Sequence, residues 1–296
     1  MTLTATAAGR LLARGLEPED TERVIRAALD EDLRYGPDVT SAATAAPGAR
    51  AVAAVVAREP GVLAGLPVAL AVLDAAGIPP GAADALRADG DLIERGAEVL
   101  RIRAPLRELL GAERTLLNFL THLSGIATAT RAWADALAGT GCEVRDTRKT
   151  TPGLRQLEKY AVRCGGGLNH RMGLGDAALI KDNHVAAAGG IAAAIAAVRA
   201  AAPGLPLEVE CDNLTQVRDA LEAGAELILL DNMGLADLRA AVALARRYPP
   251  ARLEASGGLR LAQARAVAET GVDFVAVGAL THSSPALDLG LDVLAC

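Results

Sequence analysis

Aromatic side chains are scarce here: one Trp, three Tyr and two Phe, 2% of 296 residues. So few rings leave little material for the base-stacking platforms of a single-strand nucleic-acid binder. Ala, Leu and Val must therefore fill the core of a chain that is 51% hydrophobic. The four cysteines, Cys142, Cys164, Cys211 and Cys296, have no CxxC or metal-type spacing. They read as buried apolar residues of a reducing compartment, not as a disulfide frame. The longest weakly polar run, Val185 to Val198, is Ala- and Gly-rich and too short to span a bilayer. The opening MTLTATAAGRLLARG has neither the basic n-region nor the long apolar h-region of a signal peptide. A net charge of -6 argues against nucleic acid or a membrane surface as partner. The expectation is a cytoplasmic protein that binds neither.

Lysine is scarcer than the charge count suggests. Of 30 Lys+Arg only Lys149, Lys159 and Lys181 are lysines, and all three fall between Arg145 and His184. Arg is a planar, permanently charged fork, whereas Lys is a compact charge with a tunable pKa. Confining lysine to one short region suggests a task that arginine performs badly.

From Cys142 onward a unit recurs: a short apolar run ends in polar residues, and a helix-like Ala/Leu segment follows. The runs are CEVRDTRK, AALIKDNH, LEVECDN, ELILLDN, RLEASGG and DFVAVGALTH. Each has the near-continuous apolar character of a strand buried on both faces. Ile191–Ala202, Leu214–Ala223, Leu235–Tyr248 and Ala262–Thr270 are the expected crossover helices. Such β-then-α repetition predicts a parallel sheet curled into a whole or partial barrel. Thr151 and Pro152 predict the start of another helix, stopped at Gly165–Gly167. Residues 1–112 predict a smaller α+β domain, with a helix at Pro18–Leu29, strands at Ala51–Arg58 and Glu98–Arg103, and a strand pair in DGDLIERGAEVL. A long helix is expected to begin near Glu113 and lead into a barrel domain, 113–296.

In parallel β/α barrels the functional side chains stand at the C-terminal ends of strands. Those ends supply Asp146, Thr147, Arg148 and Lys149; Lys181, Asp182, Asn183 and His184; Glu210, Asp212 and Asn213; Asp231 and Asn232; Ser256, Gly257 and Gly258; Gly278 and His282. The glycine turns ASGG and VGAL fall where barrels hold phosphate. Glu210 and Asp231 suit a metal, sugar hydroxyls or a cationic transition state, or salt bridges within a basic site. Asp146–His184 holds seven Lys+Arg against four carboxylates, with His170 and His184. Arg155, Lys159 and Arg163 read as the solvated face of a helix. Arg148, Lys149, Arg171 and Lys181 do not, and gathering them is costly unless anions arrive. A small, highly anionic substrate is expected. The same pattern also admits a barrel aldolase with Lys149 or Lys181 as Schiff-base amine.

The stretch DTRKTTPGLRQLEKYAVRCGGGLNHRMGLGDAALIKDNH resembles the signature of the quinolinate phosphoribosyltransferase family. The likeness extends to EDLRYGPDVTS, ERTLLNFLTHLSGIAT, EVECDN, LILLDNM, EASGGL and GVDFVAVGALTHS; RYGPD is longer than in many members. The resemblance implies an N-terminal α/β sandwich joined to an open, incomplete β/α barrel with a phosphate site at the last strands. It implies a homodimer and Mg²⁺. The implied reaction joins quinolinate to phosphoribosyl pyrophosphate and releases nicotinate mononucleotide, pyrophosphate and carbon dioxide. Arg148, His170, Arg171 and Lys181, with Thr147 beside them, would surround the quinolinate carboxylates, and Arg114 would reach them from the neighbouring subunit. Lys149 would face the pyrophosphate. Glu210 and Asp231 would hold the ribose and metal region, directly or through water. Ser256–Gly258 and Val277–Ala279 would cradle the ribose phosphate, Gly278 among them. A divergent relative, such as a molybdenum-uptake accessory protein, is the alternative within this resemblance.

Overall fold

The computed structural model describes residues 2–295. The strands run β1 (Arg50–Ala57), β2 (Gly61–Val62), β3 (Ala83–Ala85), β4 (Leu92–Ile93), β5 (Glu98–Pro105), β6 (Glu143–Arg145), β7 (Ala178–Ile180), β8 (Leu207–Cys211), β9 (Leu227–Asp231), β10 (Arg252–Ser256), β11 (Phe274–Ala276) and β12 (Leu289–Ala295). They fall into two compact units, each assembled from separate stretches of chain. One comprises the chain up to Arg131, Thr150–Gly166 and the chain from Thr281; the other comprises Ala132–Lys149 and Gly167–Leu280.

The first unit is built on a four-stranded sheet ordered β12-β1-β5-β3, with a two-stranded β2-β4 ribbon. After Arg50 the strand β1, RAVAAVVA, is apolar throughout, and five of its eight residues are buried. Ala53 faces Ile102 of antiparallel β5, and Val55 faces Leu291 of antiparallel β12. Its helices are α1 (Ala5–Leu12), α2 (Pro18–Leu33), α3 (Val39–Thr44), α4 (Leu66–Ala75), α6 (Arg155–Cys164) and α5 (Leu106–Leu137) up to Arg131, the last residues of α5 belonging to the second unit. The segment LPVALAVLDA of α4 is apolar almost all round, and seven of its residues are buried.

Several sequence expectations change here. DGDLIERGAEVL is not a strand pair, because β4 joins β2 while β5 lies between β1 and β3. The long helix starts at Leu106, not near Glu113, because Pro105 ends β5 and the chain turns directly into α5. Arg114 is therefore in the third turn of α5, beyond the reach of the N-terminal dipole. The next helix begins at Arg155, not at Thr151, since Gly153 adopts φ +83° and breaks the turn that Pro152 would open. Its middle, Leu157–Val162, is buried throughout, so Lys159 is 0% exposed and not on a solvated face. Glu158 is equally buried, with Oε2 accepting from the Thr151 amide at 3.0 Å and Oε1 2.9 Å from His122 Nε2. Arg155 is half-buried and donates to Thr150 Oγ1 at 3.0 Å; Arg163 is exposed and donates to the Arg14 carbonyl at 3.0 Å.

The second unit is a parallel six-stranded sheet ordered β6-β11-β10-β9-β8-β7. Strands β6 and β7 form its two edges without pairing to each other, so the sheet is open and no barrel closes. Its crossovers carry α7 (Asp182–Ala188), α8 (Ile191–Ala201), α9 (Leu214–Glu222), α10 (Leu235–Ala245) and α11 (Ala264–Ala268), and α12 (Ala279–His282) follows β11. The last crossover opens as a 3₁₀ turn at Leu261–Gln263, which shortens the helix expected from Ala262. No single helix among the described residues is long and apolar enough to cross a membrane, and Val185–Val198 is split between α7 and α8 by a bend of 88°. Cys142 and Cys211 are buried, with thiols pushed up to about 12, chiefly by burial. Cys164 is only half-buried, and Cys296 lies outside the described residues.

Candidate active site

The C-terminal strand ends of the open sheet surround a cavity of about 600 Å³. Each strand delivers its own contribution. Thr147, Arg148 and Lys149 follow β6, Lys181 follows β7, Glu210 lies in β8, Asp231 ends β9, and Ser256–Gly258 end β10; all line the cavity, as do His170 and Arg171.

His170 and Arg171 come from a loop that has no place in the strand pattern. Leu168 forms a parallel bridge with Arg145 beside β6, which carries the loop to the strand end. Buried Asp146 then fixes it: Oδ1 accepts from the His170 amide at 2.8 Å and Oδ2 from Asn169 Nδ2 at 2.5 Å. Asp146 thus positions the loop. The His170 ring is held at both ends. Nδ1 accepts from the Arg171 amide at 2.7 Å, so the neutral ring carries its proton on Nε2, 2.7 Å from Glu208 Oε2.

The cationic wall is under-compensated. Arg148 Nε is buried without a hydrogen-bond partner. Arg171 donates to the Ala177 carbonyl at 3.1 Å. Burial, and after it the charge of Arg148, work against the Arg171 cation. Opposite this wall, Lys181 Nζ is paired with Glu210 Oε2, and Asp231 Oδ2 accepts from Asn232 Nδ2 at 2.7 Å. The ends of β9 and β10 interlock. The Asn232 amide donates to the Ser256 carbonyl at 2.9 Å, and Asn232 itself is left-handed, φ +54°. Gly257, at φ +100°, presses so close that a Cβ would lie 2.3 Å from Asn232 Oδ1.

Some expected residues stand elsewhere. Val277, Gly278 and Ala279 do not line the cavity, whose wall at β11 is Ala276. The Val277 amide instead donates to the Arg145 carbonyl at 2.9 Å. His184 caps α7, its Nδ1 accepting from the Lys181 amide at 2.9 Å, and it lines a separate apolar cavity. His282 pairs with Ser283 Oγ at 2.6 Å. Arg114 is exposed on α5 in the first unit and has no ion pair or hydrogen bond among the described residues.

Two carboxylates in the sheet went unremarked in the sequence. Glu208 is 3% exposed and Glu254 0%, and both face His170. The signal was the period of two in a strand: Glu208 shares a face with Glu210, and Glu254 with Ser256. Together with His170 they bring three donor atoms within 4.8 Å of one another. Glu254 is already met by Arg145 Nη1 at 2.6 Å.

Comparison with known proteins identifies the family. The N-terminal domain of quinolinate phosphoribosyl transferase matches residues 38–124, and its C-terminal domain residues 126–292. The chain belongs to the quinolinate phosphoribosyl transferase family. The carboxylating nicotinate-nucleotide pyrophosphorylase of Mycobacterium leprae is 55% identical over 271 residues, 91% of this chain and 95% of that protein. The human protein of the same name is 38% identical over 288 residues, 96% of this chain and 95% of that one. The solved nicotinate-nucleotide pyrophosphorylase of Francisella tularensis superposes with a TM-score of 0.86 at 37% identity, covering 93% of this chain and 96% of its own. Membership in the quinolinate phosphoribosyl transferase family accounts for the antiparallel first unit as well as the open parallel sheet. It also displaces the aldolase reading.

Proposed function

We propose that the cavity of the open sheet is where quinolinate meets phosphoribosyl pyrophosphate. The chain transfers the phosphoribosyl group to the ring nitrogen and expels carbon dioxide, giving nicotinate mononucleotide and pyrophosphate. The observation that carries this reading is the uncompensated cationic wall: Arg148 Nε buried and unpaired, beside an Arg171 whose charge is opposed. A planar dicarboxylate supplies the missing acceptors, and guanidinium forks suit its geometry. Arg148, His170, Arg171 and Lys181 hold the two carboxylates; Lys149 faces the departing pyrophosphate as a point charge; Ser256–Gly258 receive the ribose phosphate.

Catalysis is then mainly positioning and electrostatics. The anomeric carbon gains positive charge as pyrophosphate leaves, and Glu210 and Asp231 stabilise it. Their hard oxygen donors fit Mg²⁺, which when bound neutralises pyrophosphate oxygens. After transfer the ring nitrogen is cationic, which stabilises the electron pair left behind when the adjacent carboxylate departs. Arg114 completes the site of a neighbouring copy, in a homodimer of cytoplasmic enzyme; its exposure and lack of an ion pair support this.

The test is direct: enzyme, Mg²⁺, phosphoribosyl pyrophosphate and quinolinate should yield nicotinate mononucleotide. Nicotinate, with one carboxylate, leaves part of the wall unpaired. Loss of one charge-assisted bond, about 1.5–3 kcal/mol, lowers kcat/KM for nicotinate roughly 10- to 150-fold or more. Comparable turnover of the two acids would refute the carboxylate assignment.

A further inference from the structure

The reaction leaves one proton unaccounted for. When carbon dioxide departs, the bond between the ring carbon and the carboxylate breaks, and its electron pair stays on that carbon. A proton must then arrive there. The residues assigned to the carboxylates are poor sources: the guanidiniums do not deprotonate, and Lys181 is held by Glu210.

The geometry points to Glu254 as the acid that delivers this proton, with Arg145 holding the carboxylate left behind. This rests on the reading of the cavity as the quinolinate site. Glu254 lies on β10 and lines the cavity, yet is 0% exposed. Its two oxygens are unequal. Oε2 accepts from Arg145 Nη1 at 2.6 Å, whereas Oε1 is buried with no hydrogen-bond partner, 3.6 Å from His170 Nε2. A buried carboxylate oxygen without a donor is costly as an anion and inexpensive as O–H.

The surrounding groups divide: burial and Glu208 favour the acid form, whereas Arg145 and His170 oppose it. Arg145 faces Glu254 from β6, His170 from its loop and Glu208 from β8; β9 and β11 present Leu229 and Phe274 at its register. Burial first, then the charge of Glu208, push the Glu254 carboxyl up to about 7, against the pull of Arg145. The acid form is therefore present below that pH and lost above it. An acid whose pKa lies near the working pH is the effective one for proton transfer. The step balances: the Glu254 O–H bond breaks, a C–H bond forms, and the new carboxylate pairs with Arg145. A solvent proton replaces the one delivered before the next turnover.

Single-turnover experiments on the whole enzyme separate the two half-reactions by following pyrophosphate and carbon dioxide independently. In Glu254→Gln, pyrophosphate should appear at the wild-type rate, while carbon dioxide and nicotinate mononucleotide lag by roughly 10²-fold or more and the dicarboxylated nucleotide persists. Glu254→Asp, which keeps an acid, should recover part of the loss. In the wild type the decarboxylation step should slow as pH rises through about 7, a limb absent from Glu254→Gln. Carbon dioxide keeping pace with pyrophosphate in Glu254→Gln overturns the proposal. So does a wild-type decarboxylation rate that is flat across that range, a measurement that needs no variant to fold. A wild-type enzyme that makes no nicotinate mononucleotide at all would instead defeat the substrate reading.

Discussion

Lys149 and Arg148 are neighbours in sequence and line one cavity, and the proposed reaction gives them different work. A point charge at the leaving group acts in the transition state, whereas a fork on a carboxylate acts already in the ground state. Lys149→Ala should therefore lower kcat roughly 10²-fold while the quinolinate Kd, measured calorimetrically, moves little. Lys149→Arg should rescue little of this. Near-normal turnover in Lys149→Ala would show that lysine's confinement to this region is incidental. The sequence could single out these residues because composition set them apart. Composition set Lys159 apart as well, the helix pattern read it as solvated, and it is instead buried in the other unit. Glu208 and Glu254 escaped notice for the opposite reason: inside apolar strands, a carboxylate is conspicuous only when the period of two is followed inward from the functional ends.

Where β9 and β10 end, two left-handed residues interlock, Asn232 on one strand and Gly257 on the other. The ASGG turn was legible as a glycine turn at a strand end, but its dependence on Asn232 was not, because the two meet only through sheet pairing. Gly257→Ala would place a methyl 2.3 Å from Asn232 Oδ1 and 2.8 Å from the Asn232 amide nitrogen, in a backbone region costing about 1–3 kcal/mol for other residues. The variant should bind quinolinate normally, while its KM for phosphoribosyl pyrophosphate rises roughly tenfold or more, at 1.4 kcal/mol per factor of ten. An unchanged KM would remove Gly257 from the phosphate cradle. The six parallel strands were legible because both faces are buried and the apolar runs are continuous. Helix starts were less so. Thr151–Pro152 carries every local mark of one, and a single positive φ at Gly153 moves it to Arg155.

A homodimer with sites completed in trans makes a claim about the whole assembly. Arg114→Ala and Lys181→Ala should each be nearly inactive. A heterodimer of the two would hold one site with both defects and one with neither, restoring up to about half of a wild-type dimer's activity. Purified heterodimers as dead as their parents would place the action of Arg114 within its own chain. The chain of either variant must also finish a sheet whose parts are made far apart. The hydrophobic strand β1 has β12 as one neighbour, and the Arg58–Asp292 pair that joins them spans 234 residues. At a ribosomal pace of about 5–20 residues per second, β1 waits roughly 10–50 s before that neighbour exists. During that interval its unpaired edge is open to other nascent chains. Expression at lower temperature or with holdase chaperones should therefore govern how much soluble protein a cell yields, independently of how stable the finished molecule is.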